Sequence, residues 1–100
     1  MILCFSFINV VLFFMKKVKI YTIDYCPFCI KAKELLNNKK IIFEEINLSK
    51  YPEKLDEMII KSNGAKTVPQ IFVGETHIGD CDHTYELDNK GELDRILEIL

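Results

Sequence analysis

The sequence predicts a single α/β domain in which helices cover both faces of a four-stranded mixed β-sheet. Three observations lead to this prediction. The chain has 100 residues and is 49% hydrophobic, which is enough for one modest core. Segments rich in β-branched and aromatic residues alternate with segments whose apolar residues recur at helical spacing. Two late strands lie close enough in sequence to form a hairpin, so the predicted order is β-α-β-α-β-β-α-α.

The first part of this order is a β-α-β unit. Residues 18–23 are rich in β-branched and aromatic side chains and predict the first strand. Apolar residues then recur every three or four positions and predict a helix over about 27–38. Residues 41–46 predict the second strand. A connection of this kind is expected to be right-handed and to leave its two strands parallel.

A second helix and a hairpin follow. Pro52 suits a first helical turn and Asn63-Gly64 is a stop signal, so a helix is predicted between them. Residues 70–73 and 76–78 flank Gly74-Glu75, which is typical of a hairpin turn. The hairpin adds two antiparallel strands to the parallel pair.

Two short helices complete the chain. We expect Asp82 to cap a helix that runs through Leu87 and is broken at Asn89-Lys90-Gly91. Apolar residues between Leu93 and Leu100 predict a final amphipathic helix. Together these elements predict the thioredoxin-like architecture, a four-stranded mixed sheet flanked by helices.

Residues 1–15 differ from everything that follows. They carry no charge and contain four of the seven phenylalanines. Three interpretations stay open: a start-site artefact or tail ahead of a real start at Met15, a membrane-associating helix, and a secretory signal. A signal would have a basic n-region and a small-residue cleavage site, and this segment has neither. A membrane span needs about 17–25 apolar residues, so this segment is short for one. We therefore divide the chain into an apolar extension, 1–15, and a domain, 16–100, with membrane contact expected only if the extension is real.

Charge and cysteine usage narrow the function classes. The net charge is −2 and no run of lysine or arginine exceeds two residues, so no basic footprint for nucleic acid is present. Of the four cysteines, two lie three positions apart and two stand alone. This pattern favours redox chemistry in a reducing compartment over a secreted disulfide framework, so we expect a cytoplasmic protein.

The motif Cys26-Pro27-Phe28-Cys29 lies where the first strand ends and the first helix begins. At a helix N-cap, the Cys26 side chain faces N–H groups that have no intrahelical partner. Those donors and the positive end of the helix dipole favour an anion. Because thiolate is the species that attacks a disulfide, Cys26 is the predicted nucleophile. Cys29, one helical turn further on, is the predicted resolving thiol.

Two other interpretations of this motif remain open. The pair would be half of a zinc site if Cys81 and either His77 or His83 supplied the other ligands. It would also be a fortuitous pair at a structural helix start. No second Cys-X-X-Cys exists, and the strand–motif–helix context favours redox chemistry.

Three motifs together resemble the glutaredoxin family: Tyr25-Cys26-Pro27-Phe28-Cys29, Ala65-Lys66-Thr67-Val68-Pro69 and Ile78-Gly79-Asp80-Cys81-Asp82. The resemblance covers essentially all of 17–100 and is to the dithiol, Cys-Pro-Tyr-Cys type. Thioredoxin proper carries Cys-Gly-Pro-Cys after a tryptophan, and monothiol members carry Cys-Gly-Phe-Ser. The resemblance implies an enzyme that reduces protein disulfides and protein–glutathione mixed disulfides, with glutathione as co-substrate and no metal.

The resemblance also implies which residues bind glutathione. Pro69 is implied to be a cis-proline, and the backbone of Val68 to pair with the cysteinyl part of the ligand. Lys66 is implied to bind the glycyl carboxylate, and the helix start at Cys81 and Asp82 to hold the γ-glutamyl carboxylate. The full expected set is Phe28, Lys66, Thr67, Val68, Pro69, Gly79, Cys81 and Asp82.

Three positions depart from the family pattern. Ile23 stands where a lysine is frequent, which removes one electrostatic aid to the thiolate. Asp80 replaces the second glycine of a usual pair, and its charge is expected to weaken glutathione binding. His83 stands where an acidic residue is common, and its charge varies around neutral pH.

One alternative within the family is an iron–sulfur carrier that uses Cys26 and glutathione across a dimer, and Pro27 argues against it.

Overall fold

The computed structural model describes residues 17–97. Its elements are β1 (Val18–Thr22), α1 (Pro27–Asn38), β2 (Phe43–Asn47), a 3₁₀ turn (Pro52–Lys54), α2 (Leu55–Lys61), β3 (Gln70–Val73), β4 (Thr76–Gly79), α3 (Cys81–Asn89) and α4 (Glu92–Leu97). The predicted extension at 1–15 and the predicted helix end at Leu100 lie outside the described residues.

The four strands form one sheet in the order β2-β1-β3-β4. Strand β1 pairs in parallel with β2 and antiparallel with β3, and β3 pairs antiparallel with β4. Val18 therefore lies between Phe43 on one side and Val73 on the other. This arrangement confirms the predicted four-stranded mixed sheet with flanking helices.

The core lies on both faces of the sheet, because side chains alternate along each strand. Ile20 and Ile71 point into a cluster that includes buried residues of α1, α3 and α4. Tyr21 and Phe72 point the other way and pack with Met58 of α2, and the two rings meet edge to face at 5.5 Å. Helices thus cover both faces, as the sequence predicts.

The structure corrects the expected start of α3. Asp82 does not cap this helix but is its second residue. Asp80 is the N-cap: its backbone is extended, and its Oδ1 accepts a 2.9 Å hydrogen bond from the His83 N–H. The helix also runs past Leu87 and includes Asn89, the first residue of the predicted break.

Smaller differences occur at strand and helix ends. β1 stops at Thr22 rather than residue 23, β2 starts at Phe43 rather than residue 41, and β4 extends to Gly79. The helix expected from Pro52 opens with a 3₁₀ turn. Between residues 17 and 97, none of the helices has both the length and the apolar character that crossing a membrane requires.

Candidate active site

Cys26 occupies the N-cap of α1, and three residues separate it from the end of β1 at Thr22. The turn between them includes Tyr25, which has a positive φ of 57° and is almost fully exposed. The Cys26 Sγ accepts a 3.2 Å hydrogen bond from the Cys29 N–H, and its carbonyl accepts from the Ile30 N–H at 3.0 Å. Pro27 is the first helical residue, and the first turn carries no acidic side chain. The predicted placement of this sulfur against unpaired helix N–H groups is confirmed.

Cys29 differs from Cys26 in its surroundings. Its side chain is 1% exposed, against 9% for Cys26, and both thiols are free. Burial, and secondly the hydrogen bond with the Cys26 sulfur, hold the pKa of Cys29 well above the ordinary cysteine value. The deeper thiol therefore stays protonated at neutral pH, and Cys26 is the more exposed of the two.

A groove of about 240 Å³ lies beside this pair. Its walls come from α1, from the segment before β3 and from the start of α3. The lining residues are Phe28, Thr67, Val68, Pro69, Asp80, Cys81 and Asp82. Six of the eight expected ligand-binding residues thus meet in one groove, and the Val68–Pro69 peptide bond is cis, as the resemblance implies.

Backbone groups along this groove are available to a ligand. Within residues 17–97, no hydrogen bond reaches the N–H or the carbonyl of Val68. At the start of α3, the His83 N–H donates to the Asp80 carboxylate, whereas the N–H groups of Cys81 and Asp82 have no hydrogen-bond partner among residues 17–97. An extended segment can pair with Val68, and an anion can bind at the helix start.

The two remaining expected residues lie outside this groove. Gly79 lines an adjoining depression of about 420 Å³, and Lys66 lines a third groove of about 470 Å³. Gly79 has a φ of +118°, and a Cβ there would lie 3.0 Å from the His83 ring, so both backbone and space favour glycine. All three cavities share Thr67.

Gln70 is a site-adjacent residue that the sequence reasoning missed. It is 3% exposed, its Nε2 donates to the Thr67 hydroxyl at 3.3 Å, and its Oε1 lies 2.6 Å from His77 Nε2. Since the amide nitrogen donates to Thr67, the amide oxygen accepts from His77. Burial, and then the neighbouring His83, hold the pKa of His77 below its usual value. The only available signal was a polar residue opening an otherwise apolar strand.

Two carboxylates, Asp80 and Asp82, line the groove beside the cysteines, and Asp80 also borders the adjoining depression. The Asp80 side chain is exposed. Ile23, another position that departs from the family pattern, directly follows β1 and is 42% exposed. Across residues 17–97, no three His, Cys, Asp or Glu side chains cluster in a way that would hold a metal ion.

Comparisons with known proteins agree on one family. The family model described as Glutaredoxin matches residues 18–78. The chain is 49% identical over 80 residues to Glutaredoxin 1 of Rickettsia felis, covering 79% of this chain and 78% of that protein. The solution structure of glutaredoxin from Brucella melitensis aligns with a TM-score of 0.71 at 46% identity, covering 83% of this chain and 89% of the other. A crystal structure of a buckwheat glutaredoxin–glutathione complex aligns with a TM-score of 0.74 at 26% identity, covering 83% and 77%.

Proposed function

The chain belongs to the glutaredoxin family, and from this membership and the site's geometry we propose that it is a glutathione-dependent enzyme that reduces protein disulfides and protein–glutathione mixed disulfides. Thiol–disulfide oxidoreduction is the chemistry of this family and serves cell redox homeostasis, and the Cys26–Cys29 pair fits its dithiol branch. The observation that carries the proposal is the Cys26 sulfur at the N-cap of α1, accepting a hydrogen bond from the Cys29 N–H. It is supported by the groove that Phe28 and Val68 line, where no hydrogen bond within residues 17–97 reaches the Val68 backbone.

For a protein–glutathione mixed disulfide, Cys26 alone carries the reaction. Its thiolate attacks the glutathionyl sulfur, so a new S–S bond forms as the substrate's S–S bond breaks. The substrate leaves as a thiolate and takes a proton from water. A second glutathione, as thiolate, then attacks the glutathionyl sulfur, which yields glutathione disulfide and returns Cys26 to its thiolate form.

For a protein disulfide, Cys29 completes the reaction. After Cys26 forms the mixed disulfide, the Cys29 thiol transfers its proton to the departing substrate sulfur and attacks Cys26 Sγ. This step closes the Cys26–Cys29 disulfide and releases the reduced substrate. Two glutathiones then reduce the Cys26–Cys29 disulfide and leave as glutathione disulfide. Glutaredoxin couples have potentials of about −200 to −230 mV, which a glutathione pool can reduce.

The proposed glutathione pose uses the expected residues. The cysteinyl backbone pairs with Val68, between Phe28 and Pro69, and the γ-glutamyl carboxylate accepts from the N–H groups of Cys81 and Asp82. The glycyl end then points away from α3, toward Lys66. Thr67 and Gly79 complete the set by shaping the backbone on either side. The cytoplasm, where a reduced glutathione pool is maintained, is the proposed location.

Single cysteine variants test this proposal with two substrates, a glutathionylated peptide and a protein disulfide. Cys26→Ser should abolish turnover of both. Cys29→Ser should retain turnover of the glutathionylated peptide and lose turnover of the protein disulfide. Cys81→Ser removes a third free thiol but keeps the backbone N–H that the proposed pose uses, so it is the control for the loss of a thiol as such and should keep both activities. Full protein-disulfide reduction by Cys29→Ser would contradict the assigned roles.

A further inference from the structure

An apolar groove adjoins the proposed glutathione site at Thr67 and Val68. It has a volume of about 470 Å³ and lies between the end of β1 and the start of α2. The residues that form it, here called the flanking groove, are Ile23, Leu48, Pro52, Leu55, Lys66, Thr67 and Val68.

The walls of the flanking groove present apolar surface to solvent. Ile23 is 42% exposed and Leu55 is 39% exposed, although both are large aliphatic residues, and the buried Leu48 forms the base. Lys66 is the charged member of the lining, and its aliphatic stem adds to the apolar wall while its ammonium group reaches water. Exposed apolar residues gathered beside a reactive site mark a binding surface more than scattered ones do.

The direction of a bound chain decides which part of it meets this groove. In the proposed pose, the residue before the reacting cysteine lies toward Cys81 and Asp82, and the cysteine backbone pairs with Val68. The residue after the cysteine therefore lies at the flanking groove. In glutathione that residue is glycine, which has no side chain to contact Ile23 or Leu55.

We propose that the flanking groove selects protein disulfide substrates in which an apolar side chain directly follows the cysteine that Cys26 attacks. This inference rests on the proposed function and names a substrate class for it. The occupant is an extended peptide segment that pairs with Val68 and buries its apolar side chain between Ile23 and Leu55. Removing that surface from water stabilises the attacking complex and raises kcat/KM for the disulfide step.

A pair of peptide disulfides tests this selection. Each is a symmetric dimer of an extended peptide with one cysteine, and the two differ only in leucine or serine directly after it. The wild-type protein should reduce the leucine peptide with a kcat/KM about tenfold higher, the lower end of what a hydrophobic pocket achieves. Leu55→Gln should bring the ratio close to one. Ile60→Gln is the matched control, because Ile60 is 78% exposed on the same helix and lies outside the flanking groove.

The leucine-to-serine ratio is measured within each variant, so a change in folded fraction cancels. Equal kcat/KM values for the two peptides in the wild-type protein would overturn the inference, as would an unchanged ratio in Leu55→Gln. The mixed disulfide of glutathione and 2-mercaptoethanol has no such side chain and separates this inference from the proposed function. Turnover of that compound without leucine preference removes the flanking-groove inference alone, whereas no turnover of it removes the proposed function.

Discussion

Replacing Asp80 by asparagine removes a negative charge from the proposed γ-glutamyl site while keeping the helix cap. The Asp80 carboxylate caps α3 through the His83 N–H at 2.9 Å and also lines the groove. Asparagine caps helices about as well as aspartate, so the fold should tolerate the change. The loss of the favourable interaction with the helix dipole should cost about 0.3–1 kcal/mol of stability.

The expected gain in affinity follows from the short distance between two carboxylates. Two carboxylates that each accept hydrogen bonds of about 3 Å from N–H groups of the same helical turn lie on the order of 6 Å apart. Two unit charges at that distance repel by about 0.7 kcal/mol in water and by about 3 kcal/mol at an effective dielectric of about 20. Because the Asp80 side chain is exposed, the lower part of this range applies. A gain of about 1 kcal/mol corresponds to a dissociation constant about fivefold lower in the variant.

An NMR titration with S-methylglutathione measures this constant without disulfide exchange. The gain should shrink between about 0.01 M and about 1 M salt, where the Debye length falls from about 30 to about 3 Å. Glu75→Gln is the matched control, since it makes the same change in net charge in the β3–β4 turn, outside the three cavities. An unchanged or weaker affinity in Asp80→Asn would refute the reasoning and would indicate that the carboxylate contacts the ligand's ammonium group instead.

Three further predictions concern stability and thiol reactivity. Tyr21→Phe removes a 2.7 Å hydrogen bond that lowers the pKa of Glu57, so it should reduce the free energy of unfolding by about 1 kcal/mol at pH 7. Because the pKa of Glu57 is depressed in the folded state, its contribution to stability is complete above the unfolded pKa of about 4.3 and is lost as the pH falls. Urea titrations should therefore show a smaller difference between the variant and the wild type at acid pH than at pH 7. Equal differences would contradict the role of this hydrogen bond. Lys39→Met removes a cation whose Nζ lies 2.6 Å from carboxylates of both α3 and α4. We expect the free energy of unfolding to fall by about 1–2 kcal/mol, and by less at high salt. A decrease that does not depend on salt would point to packing instead. In the Cys26→Ser protein, burial should make the alkylation of Cys29 by iodoacetamide at pH 7 far slower than in the unfolded chain. Mass spectrometry follows both alkylation rates, and equal rates would contradict the raised pKa of Cys29.

The element order and the reactive cysteine could be predicted because they depend on local signals. Periodicity placed α1 at Pro27–Asn38, and the position of Cys26 before a proline at a strand–helix junction indicated its N-cap role. The cap of α3 could not be chosen in the same way. Asp80 and Asp82 are equally suitable by type, and only the extended backbone of Asp80 after the positive-φ Gly79 decides between them.

Features that depend on strand register and loop packing were beyond the sequence reasoning. Gln70 Oε1 lies 2.6 Å from His77 Nε2 across the β3–β4 pair, where the register shifts by one residue so that Ile71 stands opposite Gly79 rather than Ile78. Lys66 lies in the flanking groove rather than in the groove beside the cysteines. Its role toward the glycyl carboxylate remains a proposal, because adjacency to Thr67 in sequence does not fix which cavity a side chain lines.

The most direct test is to locate glutathione after the Cys29→Ser protein has reacted with glutathione disulfide. Intact-mass measurement followed by peptide mapping should find one glutathionyl group on Cys26, and reduced glutathione should remove it. A glutathionyl group on Cys81 instead, or no covalent adduct at all, would contradict the claim that the sulfur at the start of α1 is the one that exchanges with glutathione.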